Sequence, residues 1–319
     1  MQRKQVIIDT DMGVDDSLAV LLALASPELD VKAITTISGA CMVDQSTTNA
    51  LSILELIKRT DIPISKGMDR PLIQNPIISS DVHNASGLGY AKLSAPTIKA
   101  ANLHAIDQII QRIMAEPDEI TLITLGPLTN LAMAIRREPR IISAVKEVVA
   151  MGGAIHESGN ITPQAEFNIF FDPHSAHIVF HSGLPLTLVP LDVTYKTILR
   201  QDDLNKLAGI SSPISRFIND ATRFYIEFYK RKRNMDGCAL NDPLALALTL
   251  IPQLATPRKL FVDVDISGGV SFGKTFADFY QLLGKEENMK VASNVRAEDF
   301  ITFFMERMTH LSNSFKDLR

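Results

Sequence analysis

Short apolar runs rich in β-branched residues alternate with helical patterns along the first half of the chain, and this constrains the fold more than any other feature. Residues 6–8 form the first run, which ends at Asp9, and Leu18, Leu21, Leu22 and Ala25 then recur at helical spacing in 15–25. The same reading predicts strands at 31–36, 120–125, 145–151 and 186–189, and helices at 44–58, 128–137 and 173–180. Alternation of this kind implies right-handed crossovers and an α/β fold with an open, mainly parallel sheet flanked by helices. No repeat, low-complexity tract or linker interrupts it, so a single domain over residues 1–319 is expected. Residues 66–96, rich in Pro, Ser, Asn and Gly, read as a flap or lid, because so long a connection without elements usually has a task of its own.

The polar clusters lie just after the apolar runs: 9–16 after the first, 38–40 after the second, Gly126 and Pro127 after the third, and Gly152 and Gly153 after the fourth. Open parallel sheets bind ligands at the carboxyl ends of their strands, so these clusters are expected to converge on one site. A net charge of −4 offers no footprint for nucleic acid or an anionic membrane, and the one basic cluster, 230–233, reads as the solvated end of a helix. Two cysteines in 319 residues give no disulfide framework. The opening MQRKQVIID leaves no room for a signal peptide, and the apolar run 18–25 is too short to span a bilayer. A cytoplasmic protein is expected.

The stretch IIDTDMGVDD gathers Asp9, Asp11, Asp15 and Asp16 at the end of a buried strand. Two carboxylates about 4 Å apart repel by about 4 kcal/mol at an intermediate effective dielectric. The start of the following helix offsets a little of this, and a hard cation far more, since calcium and magnesium both choose carboxylate and carbonyl oxygens. Gly13 is expected to permit the sharp turn that lets acids on both sides face one point. Asp242, before Pro243 at the start of another apolar helix, is a further acid placed for such a site. The plainer reading is an acidic helix cap with spare surface charge. A magnesium phosphotransferase of the haloacid dehalogenase type also begins with a strand and Asp-x-Asp; Gly13, where that pattern usually has Thr or Val, argues against it.

DTDMGVDDSLAVLLAL (9–24) closely resembles the N-terminal signature of the inosine-uridine-preferring nucleoside hydrolase family. ITTISG (34–39), HNASGLG (83–89), LGPLTNLA (125–132), MGGAIHESGNITPQAEFNIFFDP (151–173) and NDPLALA (241–247) are similar to further family segments, in the same order. The resemblance implies a calcium-dependent ribonucleoside hydrolase that cuts the N-glycosidic bond to give ribose and a free base. It implies that Asp11, Asp16, Asp242 and the backbone carbonyl of Leu125 hold calcium, and that Asp11 is also the general base for the attacking water. Asp15, Asn160, Glu166 and Asn168 are then expected on the ribose hydroxyls, with Met151 lining the same pocket. A ribonucleoside is the expected partner, and a homo-oligomer, dimer or tetramer, is implied by resemblance alone. Carboxylates beside the sugar suit the chemistry, because glycosidic cleavage passes through an oxocarbenium-like state.

Two positions depart from the family pattern. Asn241 stands where members often have His before the metal-motif Asp, and an amide cannot act as a general acid near neutral pH. Ala40 stands where Asn is usual. Both lie on the base side, so nucleobase preference is open. His83, Tyr225 and Tyr229 are candidate contacts to the base or leaving group, with Asn241 beside them; the alternative for the two tyrosines is a packing stripe with Phe224 and Phe228. His156 and His174 read as structural, and His104, His177, His181 and His310 receive no role. A non-catalytic or altered-specificity ribose or nucleoside binder of the same fold is the alternative that the departures suggest.

Overall fold

The computed structural model of the chain describes residues 3–316. Strand β1 (Lys4–Thr10) leads through the acidic turn into α1 (Val14–Leu24), followed by β2 (Leu29–Thr36), α2 (Val43–Leu56) and a short β3 (Ile64–Lys66). The lid stretch carries one helical turn, α3 (Ser80–His83), before α4 (Ala105–Ala115), β4 (Ile120–Thr124), α5 (Thr129–Arg137), α6 (Ile141–Ala144) and β5 (Glu147–Met151). Next come α7 (Phe167–Phe171), α8 (Pro173–Phe180), β6 (Leu186–Val189), α9 (Leu191–Thr194), β7 (Ile198–Leu199), α10 (Gln201–Ala208), α11 (Pro213–Arg233) and β8 (Cys238–Ala239). The chain closes with α12 (Asn241–Leu250), β9 (Thr256–Val264), β10 (Thr275–Asp278), β11 (Met289–Ser293) and α13 (Ala297–Ser314). The expected elements of the first half are all present, most with ends moved by one or two residues. Those at 173–180 and 186–189 coincide.

The main sheet runs β10-β9-β11-β6-β5-β4-β1-β2-β3. Its body is parallel, from β3 across to β11. The antiparallel pairs β11–β9 and β9–β10 extend one end, and β7 pairs with β8 in a separate two-stranded sheet. Side chains alternate between the two faces of a strand. Val6, Ile8, Ile34, Ile123 and Val149 therefore pack with Leu18 and Leu21 of α1, Leu244 of α12 and Phe304 of α13. Ile7, Ala33, Leu122, Val148 and Leu188 pack on the other face with Ile109 of α4, Leu131 of α5 and Phe180 of α8. Helices cover both faces, so the strands read as continuous apolar runs rather than as alternating ones. Among the described residues no helix is long and apolar enough to cross a membrane.

The strand order reverses between β1 and β4, since β2 and β3 lie on one side of β1 while β4, β5 and β6 lie on the other. Loops leaving neighbouring strands diverge there and open a crevice at the carboxyl ends. The Asp9–Asp16 segment leaves β1 and Leu125 leaves β4 at this point.

Candidate active site

Asp9 opens the acidic segment without entering the crevice. It is fully buried, its Oδ1 accepts from Thr35 Oγ1 and Asn130 Nδ2, and burial pushes its carboxyl up to about 7. The chain then turns through Met12, the residue with left-handed backbone (φ 47°), stabilised by its amide donating to Thr10 Oγ1 at 3.1 Å. Gly13 has an ordinary φ of −75°, so the turn expected of it belongs to Met12. What Gly13 supplies is space, since a Cβ there would lie 2.7 Å from His83 Nδ1 and 3.0 Å from Ala40 Cβ.

Asp11 hangs into the crevice and accepts the Ala40 amide on Oδ2 at 2.6 Å. Gly39 makes this position possible, because a Cβ on it would come within 2.0 Å of that oxygen. Ala40, without a hydrogen-bonding side chain, thus contributes through its backbone. Asp16, at the start of α1, accepts from Thr10 Oγ1 and from the Gly13 amide at 3.0 Å. Asp242 comes from the first turn of α12 on the far side. Donor oxygens of Asp15, Asp16 and Asp242 lie within 4.8 Å of one another, so the acid trio that comes together includes Asp15, with Asp11 neighbouring Asp16. Burial pushes the Asp11 carboxyl well up, the charge of Asp16 adds to this, and the Ala40 amide opposes it. Burial, followed by the charges of Asp15, Asp16 and Asp11, does the same to Asp242. Such a set offers only hard oxygens and excess negative charge. Among the described residues, the one Lys or Arg lining the crevice, Arg233, donates to the Gly159 carbonyl at 2.9 Å. The donor set therefore fits a hard divalent cation.

The opposite wall comes from the ends of β4 and β5 and from α7. Asn168 Nδ2 donates to the Leu125 carbonyl at 2.7 Å and approaches Met151 O at 3.3 Å, which brings three expected site residues together. Glu166 caps α7, accepting the amides of Asn168 and Gly153 at 2.9 Å and that of Ile169 at 3.2 Å. Asn160 Oδ1 accepts the Phe167 amide at 2.7 Å, and both residues line the crevice.

The roof is α11 and the lid. Tyr225 and Tyr229 are buried, and the Tyr225 hydroxyl donates to Asp15 Oδ2 at 2.9 Å. Asn241 Nδ2 reaches the same oxygen at 2.9 Å and the two tyrosine hydroxyls at 3.1 and 3.4 Å. Burial pushes both phenols well up, with nearby Asp15 contributing. Phe224 instead meets Tyr90, edge to face, and Phe228 packs on Tyr229 while also lining the crevice. His83, carried in by α3, stacks on Tyr225 at 5.5 Å and accepts the Val14 amide on Nδ1 at 3.1 Å. With Nδ1 accepting, the proton of the neutral ring sits on Nε2. His156 stacks on Phe279 and His174 lies against Phe272, both outside the crevice.

Several lining residues escape a reading of the sequence, Arg233 and Tyr195 among them. Arg233 belongs to the cluster expected to be a solvated helix end, yet it turns over the Tyr195 ring at 5.7 Å and binds Gly159. Tyr195, just past α9, has no motif around it. The crevice is partly open and its cavity is about 80 Å³, below the roughly 300–1,000 Å³ of pockets that enclose drug-sized ligands.

The inosine-uridine preferring nucleoside hydrolase family model matches residues 6–302. The pyrimidine-specific ribonucleoside hydrolase RihA of Escherichia coli is 37% identical over 304 residues, covering 95% of this chain and 97% of its own. Its counterpart from Salmonella arizonae is 38% identical at the same coverage. Among solved structures, the purine-preferring ribonucleoside hydrolase from Gardnerella vaginalis superposes with a TM-score of 0.93 at 32% identity, covering 98% of this chain and 100% of that one. A plant nucleoside hydrolase gives 0.91 at 35%, covering 96% and 99%.

Proposed function

The chain belongs to the inosine-uridine preferring nucleoside hydrolase family and is a ribonucleoside hydrolase, and from that premise we propose how its residues divide the work. This membership sets aside the phosphotransferase reading, and the hydrolase relatives favour catalysis over a binding-only role. The reaction forms a bond from water to C1′ of ribose and breaks the C1′–N bond, whose electron pair leaves with the base. The water proton passes to a base on the enzyme, and a proton or a strong hydrogen bond must meet the departing nitrogen.

Asp11, Asp16, Asp242 and the Leu125 carbonyl would hold calcium, whose positive charge would help to orient the ribose hydroxyls and to acidify the attacking water. Asp11 takes the water's proton, and the Ala40 amide fixes its carboxylate for that task. Asp15, Asn160, Glu166 and Asn168 hold the ribose hydroxyls, and Met151 lines the same pocket. The negative charge of these groups stabilises the cationic sugar as the bond stretches. On the leaving side Asn241, His83, Tyr225 and Tyr229 face the base; His83 Nε2–H and the phenols carry the available protons. The small cavity supports a lid role for 66–96, in which α3 and its His83 move aside to admit the nucleoside and return to exclude water.

Two free, buried cysteines support a cytoplasmic working place. Large apolar side chains exposed at Val270, Tyr280, Leu282 and Leu283 support association of the chain with copies of itself.

The observation that carries this reading is the convergence of the buried carboxylates of Asp15, Asp16 and Asp242, with Asp11 beside them, at the strand-order reversal. The test is reducing-sugar release from a panel of ribonucleosides, with and without chelator. Release that falls on chelation and returns with calcium is expected. Release indifferent to chelation sinks the metal assignment, and ribose binding without release on any member sinks the catalytic one.

A further inference from the structure

Outside the crevice, between α8 and β9, three side chains that the hydrolytic site does not use come together. His177 lies in the last turn of α8 and His181 caps its C-terminus, four residues on, a spacing that turns both imidazoles to one side. That side packs on β9, where Asp263 projects towards them. None of the three lines the crevice.

His177 Nδ1 and His181 Nε2 both lie 3.0 Å from Asp263 Oδ1, and the Val264 amide approaches the same oxygen at 2.8 Å. Burial works against the Asp263 carboxylate. Hydrogen bonds from His181, the Val264 amide and His177 outweigh it and hold the group ionised below its usual range. One donor atom from each of the three residues falls within 4.8 Å of the others. Donors around a tetrahedral ion with bonds of about 2.0–2.1 Å stand roughly 3.4 Å apart, so small rotations of the two half-exposed rings complete three corners.

We propose that His177, His181 and Asp263 form a second metal site, one for a borderline transition ion of the zinc class. Two imidazole nitrogens and one carboxylate oxygen suit zinc and not calcium, which prefers an all-oxygen cage. Both imidazoles bind as neutral rings, each turning a lone pair to the ion and leaving its proton on the other nitrogen. The half-exposed histidines leave the fourth corner to water, and the ion clips α8 onto β9.

The test titrates zinc alone into the full-length chain held in saturating calcium, which keeps the carboxylate crevice filled. One saturable zinc per chain is expected, with a rise in melting temperature. His177→Gln with His181→Gln should weaken binding by at least about 10-fold, since even outer partners of metal ligands command that much. Ribonucleoside hydrolysis by the zinc-free double variant should stay at the wild-type level. Absence of saturable zinc, or equal zinc binding by wild type and double variant, overturns the proposal. If the double variant fails to fold, X-ray absorption at the zinc edge of the loaded wild-type protein decides. Two imidazole nitrogens in the first shell support the site, and a shell of oxygens alone overturns it.

Discussion

Asn241 spends both hydrogens of its amide nitrogen on Asp15 and the two tyrosine hydroxyls, while its Oδ1 is buried without a partner. Its nitrogen faces acceptors, so the oxygen is free to accept from a donor on the substrate; a buried polar atom left unpaired calls for such a reason. An amide in this position binds but does not protonate. Asn241→His is therefore expected to raise turnover on natural ribonucleosides selectively. An analogue with an activated aryl leaving group, which needs no acid, should change little; steady-state kinetics on the two substrate types measures this. General acid assistance is worth about 100- to 10,000-fold, so even a poorly placed imidazole should register. If wild type already cuts both types equally fast, an acid is in place, and His83→Ala and Tyr225→Phe are the variants to compare. Asp11→Asn retains size and one oxygen but cannot take the water's proton. Turnover should fall about 100-fold or more while ribose affinity changes less. Near-normal turnover would move the base role elsewhere.

Asp172 shows how single residues join elements. Its side chain caps α8 through the Ser175 amide at 3.0 Å, accepts Thr129 Oγ1 of α5 at 2.7 Å, and accepts the Leu72 amide of the lid stretch at 2.9 Å. Asp172→Ala removes a cap worth about 1–2 kcal/mol and leaves buried donors unpaired at about 1–3 kcal/mol. Urea unfolding should show a loss of about 2–5 kcal/mol, and proteolysis within 66–96 should quicken; unchanged stability would show that water replaces the carboxylate at no cost. Gln74 Nε2 ties the same stretch to the Phe170 carbonyl at 2.6 Å. The lid is thus anchored on α7 and α8 near its start, while its later half carries α3 and His83. That arrangement could not be read from the composition of 66–96, which marks a loop but says nothing of where it docks. Arg233 teaches the same lesson, because the last turn of α11 lies beside the 159 loop and what looks like a solvated charge becomes part of a wall.

Across the whole molecule, buried like charge opposes folding, and a bound cation would offset it. Asp11, Asp16 and Asp242 come from segments more than two hundred residues apart and meet only in the folded chain, so calcium should bind the native state far better than the unfolded one. Free calcium at about 100 times its Kd would add about 2.7 kcal/mol. Calorimetry is expected to show a clear rise in Tm with calcium, reversed by chelator and much reduced in Asp16→Ala and Asp242→Ala. Identical Tm values with and without calcium would contradict it. Association of copies is checked by light scattering, with a mass at a multiple of 35.1 kDa expected; a monomer at working concentration would remove the oligomer.

The parallel half of the fold was legible because strands buried on both faces tend to be continuous apolar runs, as the middles of β1 and β5 are, with only threonine interrupting β4 and β6. Acids placed at the end of such a strand announce a site for the same local reason. Beyond 256 the pattern carries less: β9 begins with exposed residues and β10 closes the sheet edge, so their apolar signal is diluted. Only the tertiary structure decided that Met12 makes the turn credited to Gly13, that Asp15 joins Asp16 and Asp242, and that Tyr225 and Tyr229 face the site rather than form a stripe with Phe224. Local sequence sets which residues prefer a strand, a helix or a turn. Which carboxylate oxygen faces which partner depends on distances between segments far apart in the chain, and packing fixes those.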